Sequence, residues 1–96
     1  MKDPQEAEAF YQRLHDELEK STTWPSQYLY KFIVKSEEGK MEAIEKLFDN
    51  TGAVIRKKAS SGGKYTSVSI NVVMDSPEAV ILKYKEVGKI KGVISL

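Results

Sequence analysis

The chain contains no cysteine. That removes disulfides, thiolate metal sites and cysteine nucleophiles, and with them iron–sulfur clusters and thiol-based copper carriers. Histidine occurs once, at His15. Asp16 and Glu19 stand near it, but there is no second histidine at helical spacing, and a metal site needs several convergent ligands. His15 therefore reads as a solvated surface residue. Charge of one sign is lacking too. Fifteen basic residues against fourteen acidic ones leave a net charge of +1, which provides no overall field toward nucleic acid or anionic lipid. Any such binding has to come from a local patch. No segment approaches the roughly 18 consecutive apolar residues of a membrane span, and the acidic first residues have no apolar signal core. A soluble, cytoplasmic protein is expected.

What is present is enough for one small domain: 96 residues bury well over half of their unfolded surface but leave no room for two cores. Asp3 and Pro4 read as cap and first turn of a helix reaching about Lys20, with Ala7, Tyr11, Leu14 and Leu18 along one face. So polar a helix is stable only when docked, either on its own domain or on a second copy. Ser21 to Pro25 break it, and Trp24 is read as an anchor for this linker. Residues 1–25 thus form a helical extension and linker, and residues 26–96 a single domain.

Within that domain Tyr28–Lys35 reads as a central strand, apolar on both sides near its middle. Its aromatic set, Tyr28, Tyr30, Phe32 and Val34, is a candidate core face, which would leave Leu29, Lys31 and Ile33 outside. A helix carrying Met41, Ile44, Leu47 and Phe48 follows, with acidic residues in its first turn, and Asn50-Thr51-Gly52 ends it. Ala53–Ser60 contains Arg56, Lys57 and Lys58, lysine-rich as edge strands often are. After Gly62 and Gly63 the run Lys64–Met74 alternates with a period of two: Thr66, Val68, Ile70, Val72 and Met74 face the core, while Tyr65, Ser67, Ser69, Asn71 and Val73 face away. Asp75 or Ser76 caps a helix with Pro77 in its first turn, Val80, Ile81, Tyr84 and Val87 on its buried side and Gly88 as its stop. Ile90–Leu96 is a last strand.

Strand, helix, strand, strand, helix, strand is the split βαβ, ferredoxin-like pattern: an α+β fold in which a four-stranded antiparallel sheet carries two helices on one face, here with an added N-terminal helix. Strands one and three are central, two and four at the edges. The second face of the sheet is then open to water, to the N-terminal helix or to a partner.

At Ser60 to Ile70 the sequence resembles the YbeD-like family of small bacterial ferredoxin-like domains of unknown function. Trp24-Pro25 with Tyr30-Lys31-Phe32, and Glu86-Val87-Gly88-Lys89-Ile90 with Val93 to Leu96, resemble that family's aromatic-proline entry and its closing helix, turn and strand. Tryptophan in place of phenylalanine and the long N-terminal helix are departures. The resemblance covers residues 24–96 and implies a fold similar to the regulatory ligand-binding domains of amino-acid enzymes, with a regulatory role, in some bacteria near lipoate metabolism. It brings no catalytic residues.

The chemistry has to come from the residues themselves. Ser60, Ser61, Ser67 and Ser69 have no histidine base, which speaks against a serine hydrolase. Ser60-Ser61-Gly62-Gly63-Lys64 lacks phosphate-loop spacing and enters a strand, so it reads as a hairpin, with a small anion at Lys64 and the loop amides as the sharper alternative. RNA recognition would need aromatics where Ser67 and Ser69 stand, which argues against nucleic acid. The expected function is a non-enzymatic regulatory or protein-interaction module, without cofactor or metal, using the open sheet face. Gly62, Gly63, Lys64, Tyr65, Ser67, Ser69 and Asn71 are its candidate binding residues. Protein partners or self-association are expected, and a small-metabolite sensor is the alternative.

Overall fold

A computed structural model describes residues 4–37 and 39–95. The elements in chain order are α1 (Pro4–Ser21), β1 (Ser26–Lys35), α2 (Lys40–Leu47), β2 (Val54–Ala59), β3 (Tyr65–Met74), α3 (Pro77–Gly88) and β4 (Val93–Ser95). The four strands form one antiparallel sheet in the order β2-β3-β1-β4. This is the ferredoxin-like arrangement, with β1 and β3 central as the sequence predicts. The last strand is shorter than expected, and the expected cap at Asp3 lies outside the described residues, as do Glu38 and Leu96.

Alternation decides which face of the sheet is the core. Tyr30, Phe32 and Val34 of β1 and Val68, Ile70, Val72 and Met74 of β3 are buried together with Ile44, Phe48, Val80 and Val87 from the helical layer. The question left open for β1 is therefore settled for the aromatic set. Tyr30 is the hub, its ring 4.8 Å from those of both Tyr28 and Tyr84 and 5.4 Å from that of Phe48. Its hydroxyl donates to the Val80 carbonyl at 3.0 Å, and the Tyr28 and Tyr84 hydroxyls bond each other at 2.8 Å. A phenol can be buried this deeply because its polar end finds a partner. Burial pushes the Tyr30 and Tyr84 hydroxyls above the usual phenol range, so both remain protonated.

Helix ends follow local chemistry. Ser76 accepts a bond from the Ala79 amide at 3.1 Å, and is therefore the cap of α3. Asn50 and Gly52 both take left-handed backbone after α2, with φ of 61° and 76°. Gly88, by contrast, is not left-handed, and right-handed Lys89 follows it as the C-cap. The stop there needs no glycine-specific torsion.

The N-terminal helix docks on its own domain, against α3 on the helical side. Ala7, Tyr11, Leu14 and Leu18 are half-buried as their spacing predicts, and the Trp24 indole donates to the Leu18 carbonyl at 3.1 Å, tying the linker to the helix end. No helix of the described residues is long and apolar enough to cross a membrane.

Candidate functional site

With all three helices on one side, the other face of the sheet stays uncovered, and the pairing register specifies its surface. Asn71 of β3 stands between Val54 of β2 and Leu29 of β1, Ser69 between Arg56 and Lys31, and Ser67 between Lys58 and Ile33. Ile94 of β4 extends the last row, and Lys35 lies opposite Tyr65 at the hairpin end. Directly paired residues share a face, so all of these side chains point to the same side.

Two properties follow. The central strand presents small side chains where its neighbours present long ones, so a trough runs along β3. One hollow along it, of about 390 Å³, is walled by Leu29, Val54, Arg56 and Val73 around Ser69 and Asn71. Toward the hairpin end a separate pocket of about 240 Å³, sharing no lining residue with the first, lies among Ile33, Lys58, Tyr65 and Ser67. The second property is charge. The strands hold Lys31, Lys35, Arg56, Lys57 and Lys58 and no aspartate or glutamate. Lys57 turns to the helical side and pairs with Glu45 at 3.3 Å. The other four stand on the open face, beside apolar side chains that are about half exposed: Leu29 48%, Val54 57%, Val73 56% and Ile94 56%.

Of the residues the sequence singles out, Tyr65, Ser67, Ser69 and Asn71 lie together on this face. Gly62, Gly63 and Lys64 sit at its end, in the β2–β3 hairpin. There the glycines adopt φ of 87° and 73°, with open space where a Cβ would be, so the requirement is torsional rather than spatial. Ser60 organises the loop: its carbonyl accepts from the Gly63 amide at 2.8 Å, its amide donates to the Tyr65 carbonyl at 2.7 Å, and its hydroxyl accepts from the Tyr65 amide at 3.1 Å. The Gly63 and Tyr65 amides are thus used within the hairpin. Sequence reasoning missed Arg56 and Lys58 as site residues, reading them as edge protection. The available signal was the absence of acidic residues from every strand.

A second hollow, of about 380 Å³, lies between α1 and α3. It is bridged by ion pairs: His15 Nε2 to Glu78 Oε2 at 2.5 Å and Lys85 Nζ to Glu8 at 3.2 Å, with Lys85 also 5.4 Å from the Tyr11 ring centroid. His15 is therefore not the solvated residue expected. Its side chain is only 21% exposed and lies on the docking seam, because helical spacing places it beside Tyr11 and Leu18. The bond to Glu78 raises its pKa above the ordinary imidazole value, aided by Asp16 and Glu19, and the same bond lowers that of Glu78. Among the described residues no group of three or more histidine, aspartate or glutamate side chains converges as a metal site.

No curated protein matches the chain. Among solved structures, the ACT domain from GTP pyrophosphokinase of Chlorobium tepidum is similar, with a TM-score of 0.52 and 12% identity, covering 74% of this chain and 100% of that one. At that identity the likeness concerns the fold alone. The model of a family described as a protein of unknown function, DUF493, matches residues 19–96, which contain the whole sheet and the helices α2 and α3. The chain belongs to this family, the YbeD-like family, and its N-terminal helix lies largely outside the part that defines membership.

Proposed function

We propose that this protein is a non-enzymatic interaction module that binds a protein partner through the open face of its sheet. One observation carries the reading: the uncovered face gathers Lys31, Lys35, Arg56 and Lys58, with no carboxylate among them in the described residues, beside exposed Leu29, Val54 and Val73. Exposed apolar area next to charge of one sign is the composition of a recognition surface rather than of inert sheet. The serines of the trough have no histidine paired beside them, and this reading asks recognition alone of the face. The test is photo-crosslinking in living cells from a benzoylphenylalanine at Ser69, with Leu82 on the exposed side of α3 as the comparison. Discrete protein adducts from position 69 and none from position 82 are expected. Adducts from position 82 alone would refute the reading.

A small-metabolite sensor is the second reading, and the trough beside Arg56 favours it, since one guanidinium, one amide from Asn71 and one hydroxyl from Ser69 converge on a hollow of about 390 Å³. Thermal-shift screening against amino acids, lipoyl compounds and nucleotides tests it, because a ligand of the native state raises the melting temperature. A flat response at millimolar concentration would eliminate it.

A further inference from the structure

Building on the open-face reading, we infer that the occupant of this face is an acidic amphipathic α-helix laid along β3. Charge selects the acid. Four cations project from β1 and β2 onto one face, and no carboxylate on any strand offsets them. The same face of a second copy would bring like charges together, which disfavours sheet-to-sheet pairing of this chain. A nucleic acid would satisfy the cations but not the rest: the floor of the trough is Ser67, Ser69 and Asn71, Tyr65 is the one aromatic on the face and lies at its border, and a phosphate strand has nothing to bury Leu29, Val54, Val73 and Ile94. A protein segment carrying both carboxylates and apolar side chains satisfies both demands.

Spacing selects the helix. Adjacent strands lie about 4.8 Å apart, so the rows of β1 and β2 that flank β3 stand about 10 Å from each other, close to the diameter of an α-helix with its side chains. A helix seated over the small residues of β3 therefore touches both rows at once. Its apolar stripe meets Leu29, Val54 and Ile33, and its acidic flanks meet Lys31 and Lys35 on one side and Arg56 and Lys58 on the other. An extended segment, about half as wide, reaches one row only. From Tyr65 to Val73 the open side of β3 spans nine residues, about 27 Å from first to last, which corresponds to a helix of about 18 residues.

The experiment titrates the isotope-labelled full chain with a synthetic peptide of about 18 residues built from leucine, alanine and glutamate, with leucines at helical spacing and glutamates on both flanks. Three comparators accompany it: a scrambled isomer, a counterpart with lysine for glutamate, and an oligouridylate. The acidic helix is expected to bind at least about tenfold more tightly than each comparator, to weaken with added salt, and to shift the amides of Ser67, Ser69 and Asn71. The double variant Lys31→Glu with Arg56→Glu is expected to lose about tenfold or more. Equal binding by the scrambled isomer at the same amides would overturn the helix while leaving the open face as a protein-binding surface. Tighter binding by the oligouridylate would overturn the partner's class. No shift at these amides with the acidic helix at millimolar concentration would overturn the inference, and the crosslink from Ser69 would then decide separately whether the face binds protein at all.

Discussion

His15 and Glu78 join the N-terminal helix to the sheet-packed helix α3: the imidazole Nε2 of α1 meets the carboxylate of the first turn of α3 at 2.5 Å. The contact lies on the seam where the N-terminal helix docks, together with the Lys85–Glu8 pair. An 18-residue helix with an apolar seam was a candidate cover for the open sheet face, but its seam and its ion pairs are committed to α3. The face is left uncovered as a consequence.

This contact makes the docking of α1 depend on pH. The bond to Glu78 raises the pKa of folded His15 above the ordinary 6.5, so its contribution is fully present below about that pH and is lost as pH rises through the raised folded value. Glu78 is lowered from 4.5, so its contribution is present above that pH and is lost as pH falls through the lowered folded value. Hydrogen exchange in α1, corrected for intrinsic rates, is expected to be slowest between these limits and to quicken on the alkaline side. His15→Ala should abolish that quickening. Protection of wild-type α1 that stays constant from about pH 6 to about pH 9 would contradict the assignment.

The two sides of β3 should respond oppositely to the same charge. Val68 is buried and Ser67 exposed, one residue apart. Val68→Asp places a carboxylate in the core and is expected to cost about 3 kcal/mol or more in chemical denaturation, whereas Ser67→Asp should cost well under 1 kcal/mol, roughly the surface norm. Equal losses would mean that both faces are covered.

Tyr30 supplies a finer test of the core. Its hydroxyl donates to the Val80 carbonyl at 3.0 Å from a fully buried ring. Tyr30→Phe keeps the ring packing and removes one hydrogen bond, for an expected loss of about 1 kcal/mol. A variant as stable as the wild type would show that the bond contributes nothing.

How much of this was legible in the sequence differs from element to element. β3 was plain, because Ser67 to Val72 alternates polar and apolar without a break and a slip of one residue would expose the whole core. The cap at Ser76 and the left-handed Asn50 and Gly52 were legible because they depend on chemistry within a few residues. β1 was ambiguous, since Leu29 and Ile33 are as apolar as the residues that are buried, and only its pairing with β3 decides between them. The basic face was hidden for a different reason. Lys31 and Arg56 are 25 positions apart, and they become neighbours only through their shared partner Ser69, while the near-zero net charge conceals the segregation. His15 could not be placed without knowing that α1 lies on α3.

The trough itself can be closed by substitution. Ser67→Arg with Ser69→Arg fills its floor with two long side chains on a face that already carries four cations. Thermal stability is expected to change little, because both positions are on the uncovered side, while binding of any partner that enters the trough should fall by about tenfold or more. Unchanged binding would take the trough out of the interface.

The most direct measurement is the yield of protein adducts from benzoylphenylalanine at Ser69, compared between the wild-type face and one carrying Lys31→Glu with Arg56→Glu. Loss of the adducts in the charge-reversed protein, with its folding intact, is the expected result. The same adducts at the same yield would contradict recognition through the basic sheet face.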